Sequence, residues 1–211
     1  MSTHQRKPKT VAKKQRRDAA RQQRAKQARA RGRRERAIRV IAVVAVVAVV
    51  GGGFVWLVLD SRPAGAPAGV VDTDETSRNH VQGEVDYVTQ PPAGGDHAPV
   101  WQNCGFYEQP IANENAVHSL EHGAVWIQYA DDLDAAAVQR VRQTTDDEPF
   151  VLASPFPDLE SPVVLSAWGK QLQLDTVDDP RYEQFLEAFV QGPQTPEPGA
   201  VCTGGTGEPV N

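Results

Sequence analysis

An uninterrupted apolar run, "VIAVVAVVAVVGGGFVWLVL", constrains this chain more than any other feature of its sequence. It occupies residues 40–59, between Arg39 and Asp60, and contains no charge. Twenty helical residues span about 30 Å, the thickness of the hydrocarbon core of a bilayer. A core helix or strand is the alternative, but a uniformly apolar run of this length between charged residues favours a membrane span. The sequence therefore predicts a transmembrane helix at residues 40–59.

A cleaved signal peptide is a second alternative, because "AGA" at residues 64–66 resembles a cleavage site. However, the basic segment before the run is far longer than that of a usual signal peptide, and the run itself is also longer. Pro67 would directly follow the cut. We therefore predict an uncleaved anchor.

Basic residues are concentrated before the apolar run and acidic residues after it. Residues 1–39 contain 16 of the 22 Lys and Arg residues and two acidic residues, a net charge of +14. From Val40 onward, 6 basic residues stand against 25 acidic ones, a net charge of −19. Because basic residues beside a membrane span stay on the cytoplasmic side, we predict a basic cytoplasmic arm at residues 1–39. The chain is then a single-pass protein of the cell membrane, with everything after the span outside.

The basic arm predicts a membrane partner. It contains many good helix formers but no apolar face, which is typical of a solvated helix or a disordered tail. Anionic lipid headgroups attract such an arm. The arm has no aromatic residue that could stack on a nucleic-acid base. We therefore predict membrane lipid, and no nucleic acid, as its partner.

Ala48 and the three glycines at 51–53 permit two spans to pack closely, so a homodimer through the span and a lone anchor both remain open.

Composition divides the external part into three segments. Residues 60–78 are rich in Pro, Gly and small polar residues and predict a flexible linker, and residues 193–211 predict a Pro/Gly-rich tail. Residues 79–192 predict an α+β domain, in which helices cover a small sheet, because strand-like and helix-like segments alternate irregularly. Strands are predicted at "GEVDYV", "AVWIQY", "FVLAS" and on both sides of a turn at Gly169 and Lys170; helices are predicted at "NENAVHSLEH", with Asn113 as N-cap, "DDLDAAAVQRVRQ" and "PRYEQFLEAFVQG".

The chain has two cysteines, Cys104 and Cys202, and both follow the predicted span. When a domain outside the cytoplasm has only two cysteines, they most simply form a disulfide, which here ties the tail to the loop before the central histidines. Free thiols or a cysteine metal ligand are the alternatives.

The stretch "HSLEHG", residues 118–123, predicts a metal site. On a helix, Glu114, His118, Glu121 and His122 lie along one stripe, so two imidazoles converge on one ion. His97, next to a glycine pair, supplies a third imidazole. His80 lies outside this motif and is predicted to be unimportant for the site. Imidazoles favour copper or zinc over calcium or magnesium, which prefer oxygen.

Two other interpretations of these histidines remain open. The spacing H-x-x-E-H matches the inverted zincin signature, which predicts a zinc hydrolase. Such enzymes need a longer helix and a further ligand, whereas the strand-like "AVWIQY" directly follows Gly123, so a non-enzymatic role is favoured. Alternatively, the histidines are structural groups that hold the loop on the helix. The protein is then a non-catalytic interaction module that binds another envelope protein.

The blocks P-P-x-x-G-x-H-x-x-x-W and V-H-S-L-E-H-G occur together, in "YVTQPPAGGDHAPVWQNCGFYEQPIANENAVHSLEHGAVWIQY", with "LSAWGKQLQLD" further on. This region, about residues 79–190, resembles a family of single-pass actinobacterial membrane proteins known only as a domain of unknown function. The resemblance implies an extracytoplasmic domain on an N-terminal anchor. It also places His97, His118 and His122 within the family's motifs, and it implies no established activity.

Reporter fusions test the predicted topology. Because the charge asymmetry across residues 40–59 directs the C-terminal part outward, alkaline phosphatase fused after Gly192 is expected to be active. A cytoplasmic reporter fused at the same residue is expected to be inactive, and its activity would contradict the prediction.

Overall fold

The computed structural model describes residues 65–74 and 77–210, together with Lys26, Val44 and Ala48 as isolated helical residues. Apart from those three residues, the predicted arm at 1–39 and the predicted transmembrane helix at 40–59 lie outside the described part. No helix among the described residues is long and apolar enough to cross a membrane. The chain divides into two compact units, Met1–Arg62 and Pro63–Asn211, and the second unit carries the features that follow.

Residues 65–74 and 77–210 form an α+β domain, as predicted, with one mixed sheet and three helices. The strands are β1 (Val71–Asp72), β2 (Gly105–Phe106), β3 (Val125–Tyr129), β4 (Val151–Pro155), β5 (Val163–Ala167) and β6 (Lys170–Leu174). The helices are α1 (Asn113–Glu121), α2 (Ala135–Asp147) and α3 (Pro180–Phe189). The strand order is β1-β6-β5-β3-β4-β2; β4 runs parallel to β2 and β3, and the other pairs are antiparallel.

Helices cover both faces of the sheet. Val125 and Ile127 of β3 pack in one apolar cluster with residues of α2 and α3, whereas Trp126 packs in a second cluster with Val117 and Leu120 of α1. Successive strand residues point to opposite faces, so burial on both faces explains why the predicted strand "AVWIQY" is apolar at nearly every position. The α1 side of the sheet is the side that carries the histidines.

The structure confirms the predicted C-terminal end of α1 and corrects its predicted N-cap. Gly123 follows the helix with φ +93°, which glycine adopts without steric cost, and a Cβ there would lie 2.5 Å from the side-chain nitrogen of Gln191. The N-cap is Ala112, not Asn113, and no side chain caps this end. By contrast, the Asp134 carboxylate caps α2 by accepting two backbone N–H bonds of 3.0 Å each.

The segment "GEVDYV" is not a strand, contrary to the sequence prediction. Its apolar residues Val85 and Tyr87 instead pack in the apolar cluster that contains Val117 and Leu120 of α1. The backbone N–H of Val85 donates to Glu114 at 2.9 Å, and the Tyr87 hydroxyl donates to the carbonyl of Asp96 at 2.8 Å. The alternating apolar residues belong to a loop that packs on a helix. Alternation alone does not distinguish such a loop from a strand in a sheet.

Parts of the predicted linker and tail contribute to the domain. Strand β1 lies within residues 60–78 and pairs with β6, opposite Gln171 and Lys170. In the tail, Cys202 forms the predicted disulfide with Cys104, with the two Cα atoms 5.4 Å apart. The backbone N–H of Val210 also donates to the carbonyl of Phe106 at 2.8 Å. These segments have too few apolar residues for a core of their own, but their backbone groups pair with a sheet that is already formed.

The disulfide is expected to contribute strongly to stability, because it joins residues 98 positions apart. Replacing both Cys104 and Cys202 by Ser should lower the free energy of unfolding by about 2–5 kcal/mol, since the unfolded chain regains the entropy of a long open loop. Denaturant titration under non-reducing conditions measures this change, and wild-type protein in excess reductant serves as the control. Equal midpoints for the variant and the oxidised wild type would contradict it.

Candidate metal centre

Four side chains meet beside the α1 face of the sheet: His80, His97, His118 and Glu121. One nitrogen or oxygen atom from each lies within 4.8 Å of the corresponding atom in the others. Nε2 of His97 is 3.0 Å from a carboxylate oxygen of Glu121, and Nε2 of His80 is 4.0 Å from the same oxygen. Three of the four side chains are buried, and His80 is half exposed.

Helix α1 supplies His118 and Glu121, which are three residues apart and therefore lie on one face of the helix. The loop that follows His97 is bonded to the same helix. The backbone N–H of Gln102 donates to the carbonyl of Asn115 at 3.0 Å, and the Ser119 hydroxyl donates to the carbonyl of Gln102 at 2.7 Å. These bonds fix the loop, and with it His97, relative to α1.

The His97 ring is completely buried. Its Nδ1 lies 2.8 Å from the carbonyl oxygen of Gly95, and the ring is nearly perpendicular to that of Trp168, with 5.8 Å between ring centroids. Gly95 has φ +105°, a conformation that side-chain-bearing residues rarely adopt. The glycine therefore allows the chain to turn so that its own carbonyl orients the imidazole two residues later.

His80 enters the cluster through backbone pairing with His97, in an isolated parallel bridge. The neighbouring Asn79 donates to an Asp96 oxygen from its backbone N–H at 3.2 Å and its side-chain amide at 3.0 Å, and the Ser77 hydroxyl bonds the same oxygen. The Ser77 hydrogen bond is the main cause that lowers the pKa of Asp96. The His80 ring stacks on His118 at 4.8 Å between centroids.

The hydrogen bonds of the buried imidazoles leave their Nε2 atoms free to bind a cation. Nδ1 of His97 and Nδ1 of His118 each face a backbone carbonyl oxygen, at 2.8 and 2.7 Å, and a carbonyl oxygen only accepts. Each Nδ1 therefore carries the proton, and in the neutral ring Nε2 presents a lone pair. A hydrogen bond of this kind at the second nitrogen is typical of histidines that bind metals.

Burial is the main cause that lowers the pKa of His118, to about 4, and the nearby rings of His122, His97 and His80 lower it further. The hydrogen bond to Ala98 acts in the opposite direction but does not outweigh burial. The His118 imidazole is therefore neutral at pH 7, which is the protonation state that a metal ligand requires.

The contact between His97 and Glu121 lacks a hydrogen bond. Although the two atoms are 3.0 Å apart, the buried Nε2 of His97 has no partner of acceptable geometry. The Glu121 carboxylate is also buried, and within the described residues no Lys or Arg lies within 4 Å of it. A buried carboxylate without a compensating positive charge is strongly unfavourable. A cation between the nitrogen and the oxygen would satisfy both groups.

The structure brings three of the five predicted ligands together and places the other two elsewhere. Glu114 accepts the backbone N–H of Val85, as described above. Nδ1 of His122 lies 2.7 Å from the carbonyl oxygen of Val201, and its Nε2 is 3.8 Å from the Glu197 carboxylate. Both side chains start from the predicted helical stripe, but each holds a different segment of the chain against α1.

His80 was predicted to lie outside the site, and the structure corrects this. Its position depends on the backbone bridge to His97, 17 residues further on, and no local periodicity signals such a pairing. The arrangement also departs from the inverted zincin pattern, in which both histidines hold zinc and the glutamate activates water. Here Glu121, and not His122, joins His118 in the cluster.

A family model described as "Protein of unknown function (DUF3105)" matches residues 80–204, which is more than half of the chain. All four residues of the cluster and both cysteines lie within the matched segment. No curated protein and no solved structure matches the chain. The chain therefore belongs to the DUF3105 family of proteins of unknown function.

Proposed function

We propose that this domain binds one divalent transition-metal ion, zinc or copper, through His80, His97, His118 and Glu121. The observation that carries this proposal is the buried, unpartnered Nε2 of His97 beside the buried Glu121 carboxylate. Imidazole and carboxylate ligands together are typical of zinc sites, and imidazole also suits copper. Calcium and magnesium prefer oxygen ligands throughout.

The distances in the cluster are compatible with such an ion. Zinc bonds of about 2.0–2.1 Å in a tetrahedral arrangement place neighbouring ligand atoms about 3.3 Å apart. The His97 and Glu121 atoms are 3.0 Å apart, and the whole set lies within 4.8 Å. Small rotations of the side chains are sufficient to close the set around one ion.

We also propose that residues 40–59 anchor the protein in the cell membrane and that the metal-binding domain lies outside the cytoplasm. The apolar run and the charge asymmetry on its two sides support this proposal. The excess of 25 acidic over 6 basic residues from Val40 onward would also raise the local concentration of cations around the domain.

An envelope interaction module with structural histidines is the second candidate. One observation favours it: the Nδ1 atoms of His97, His118 and His122 each bond a backbone carbonyl. Two of these carbonyls, those of Gly95 and Ala98, belong to the loop around His97, and the third, that of Val201, belongs to the tail. These bonds hold loops and tail together without any metal. The metal content of the purified protein distinguishes the two candidates.

Replacing His118 by Asn tests the metal site with little damage to the fold. The Asn amide retains a donor near the position of Nδ1, which faces Ala98, but it has no atom at the position of Nε2. We expect about one equivalent of zinc or copper in the wild type and an affinity more than about 100-fold lower in the variant. Equilibrium dialysis with elemental analysis measures both, and circular dichroism monitors the fold.

His122→Asn is the matched control, because it retains a donor towards Val201 and His122 lies outside the cluster. Its metal content is expected to equal that of the wild type. Equal losses in both variants would indicate that the histidines act through the fold. If the wild type contains no metal after incubation with zinc or copper, the metal site is wrong and only the structural role of the histidines remains.

Acid is expected to release the metal, because protons compete for the ligand nitrogens. An unperturbed imidazole has a pKa of about 6.5, whereas burial lowers the pKa of His118 to about 4. Affinity should therefore persist at pH 7 and fall as the pH decreases towards 4, where His118 is protonated. Dialysis at a series of pH values measures this, and constant affinity from pH 7 to 4 would contradict imidazole ligation.

A further inference from the structure

The four ligands of the proposed metal centre are not equivalent. We propose that His80 is an exchangeable ligand, and that it covers a coordination position that a small anion from solvent occupies when the His80 ring turns away. In this arrangement His97, His118 and Glu121 hold the ion permanently. The inference rests on the proposed function, because it requires that the cluster binds a metal.

Burial and hydrogen bonding separate His80 from the other three ligands. The side chains of His97 and Glu121 are 0% and 4% exposed, whereas that of His80 is 49% exposed. The rings of His97 and His118 are each oriented by a carbonyl oxygen at Nδ1. The His80 ring forms no hydrogen bond within the described residues, and its Nε2 lies 4.0 Å from the Glu121 carboxylate, compared with 3.0 Å for Nε2 of His97.

The backbone of His80 is nevertheless fixed. The carbonyl of Asn79 accepts the N–H of His97 at 3.0 Å, and the N–H of Val81 donates to the carbonyl of His97 at 2.8 Å. The backbone N–H and the side-chain amide of Asn79 also donate to the Asp96 carboxylate. The ring is therefore free to turn into solvent by rotation about its side-chain bonds, a fast motion for an exposed residue, while the segment stays in place.

The three permanent ligands define the chemistry of the vacated position. Two histidines and one glutamate form the ligand set of zinc centres that keep a fourth position for water or substrate. A divalent ion with two neutral imidazoles and one carboxylate retains a net charge of +1. An incoming anion neutralises that charge, so the position should prefer a small monodentate anion to a neutral ligand.

Cobalt(II) in place of zinc makes the position visible, because its absorption spectrum reports coordination number and geometry. The probe is azide, added to the 211-residue chain purified in detergent and loaded with cobalt. We expect His80→Ala to retain one cobalt ion, bound about 10-fold to 100-fold more weakly, and to change its spectrum at lower azide concentrations than the wild type. His118→Asn should lose tight cobalt binding, and His122→Asn should match the wild type in both spectrum and azide response.

The outcomes separate this inference from the proposed function. Absence of cobalt from the wild type would overturn both. If the wild type binds cobalt but His80→Ala loses it as completely as His118→Asn does, the metal site stands and the exchangeable position does not. Identical azide responses in the wild type and in His80→Ala would also overturn the exchangeable position, with circular dichroism to verify that each variant is folded.

Discussion

The buried carboxylate of Glu121 is the constraint on which the rest of the site depends. On the same face of the sheet, other buried polar groups satisfy one another: Nε1 of Trp126 donates to the Ser154 hydroxyl at 3.1 Å, and Gln171 donates to Ser166 at 3.1 Å. Glu121 instead faces the imidazole of His97, whose proton lies on Nδ1, on the far side of the ring. A negative charge in that position requires a positive charge nearby, and the geometry around it favours an ion over a proton.

Backbone carbonyl groups hold two histidines of the cluster, and the neighbouring His122, in place. Gly95, Ala98 and Val201 each direct a carbonyl oxygen at one imidazole. Glu121 contributes through its backbone as well, because its carbonyl accepts the N–H of Glu197 at 3.1 Å. The ligands of α1 are thereby held from the loop on one side and from the disulfide-linked tail on the other. Metal affinity and the stability of these connections should therefore be coupled.

The sequence was informative where local patterns determine structure. Continuous apolar segments predicted β3 and β4, the turn at Gly169 predicted the β5–β6 hairpin, and Pro180 marked the start of α3. Helical spacing also placed His118 and Glu121 on one face. The two-residue strands β1 and β2 carry no periodic signal, because their pairing depends on neighbouring strands. The position of His80 was not predicted for the same reason. Glu114 and His122 lie apart from the four-residue cluster, because spacing along a helix does not reveal which distant backbone group each side chain meets.

The ends of the sheet determine how the domain behaves when many copies are close together. Its four central strands have five residues each, but β1 and β2, which form the two edges, have only two. An edge strand exposes unpaired N–H and C=O groups that can template pairing with another chain, and very short edges limit this risk. The apolar strands β3 and β5 are paired on both sides within the sheet, so edge-to-edge aggregation of crowded copies cannot start from them.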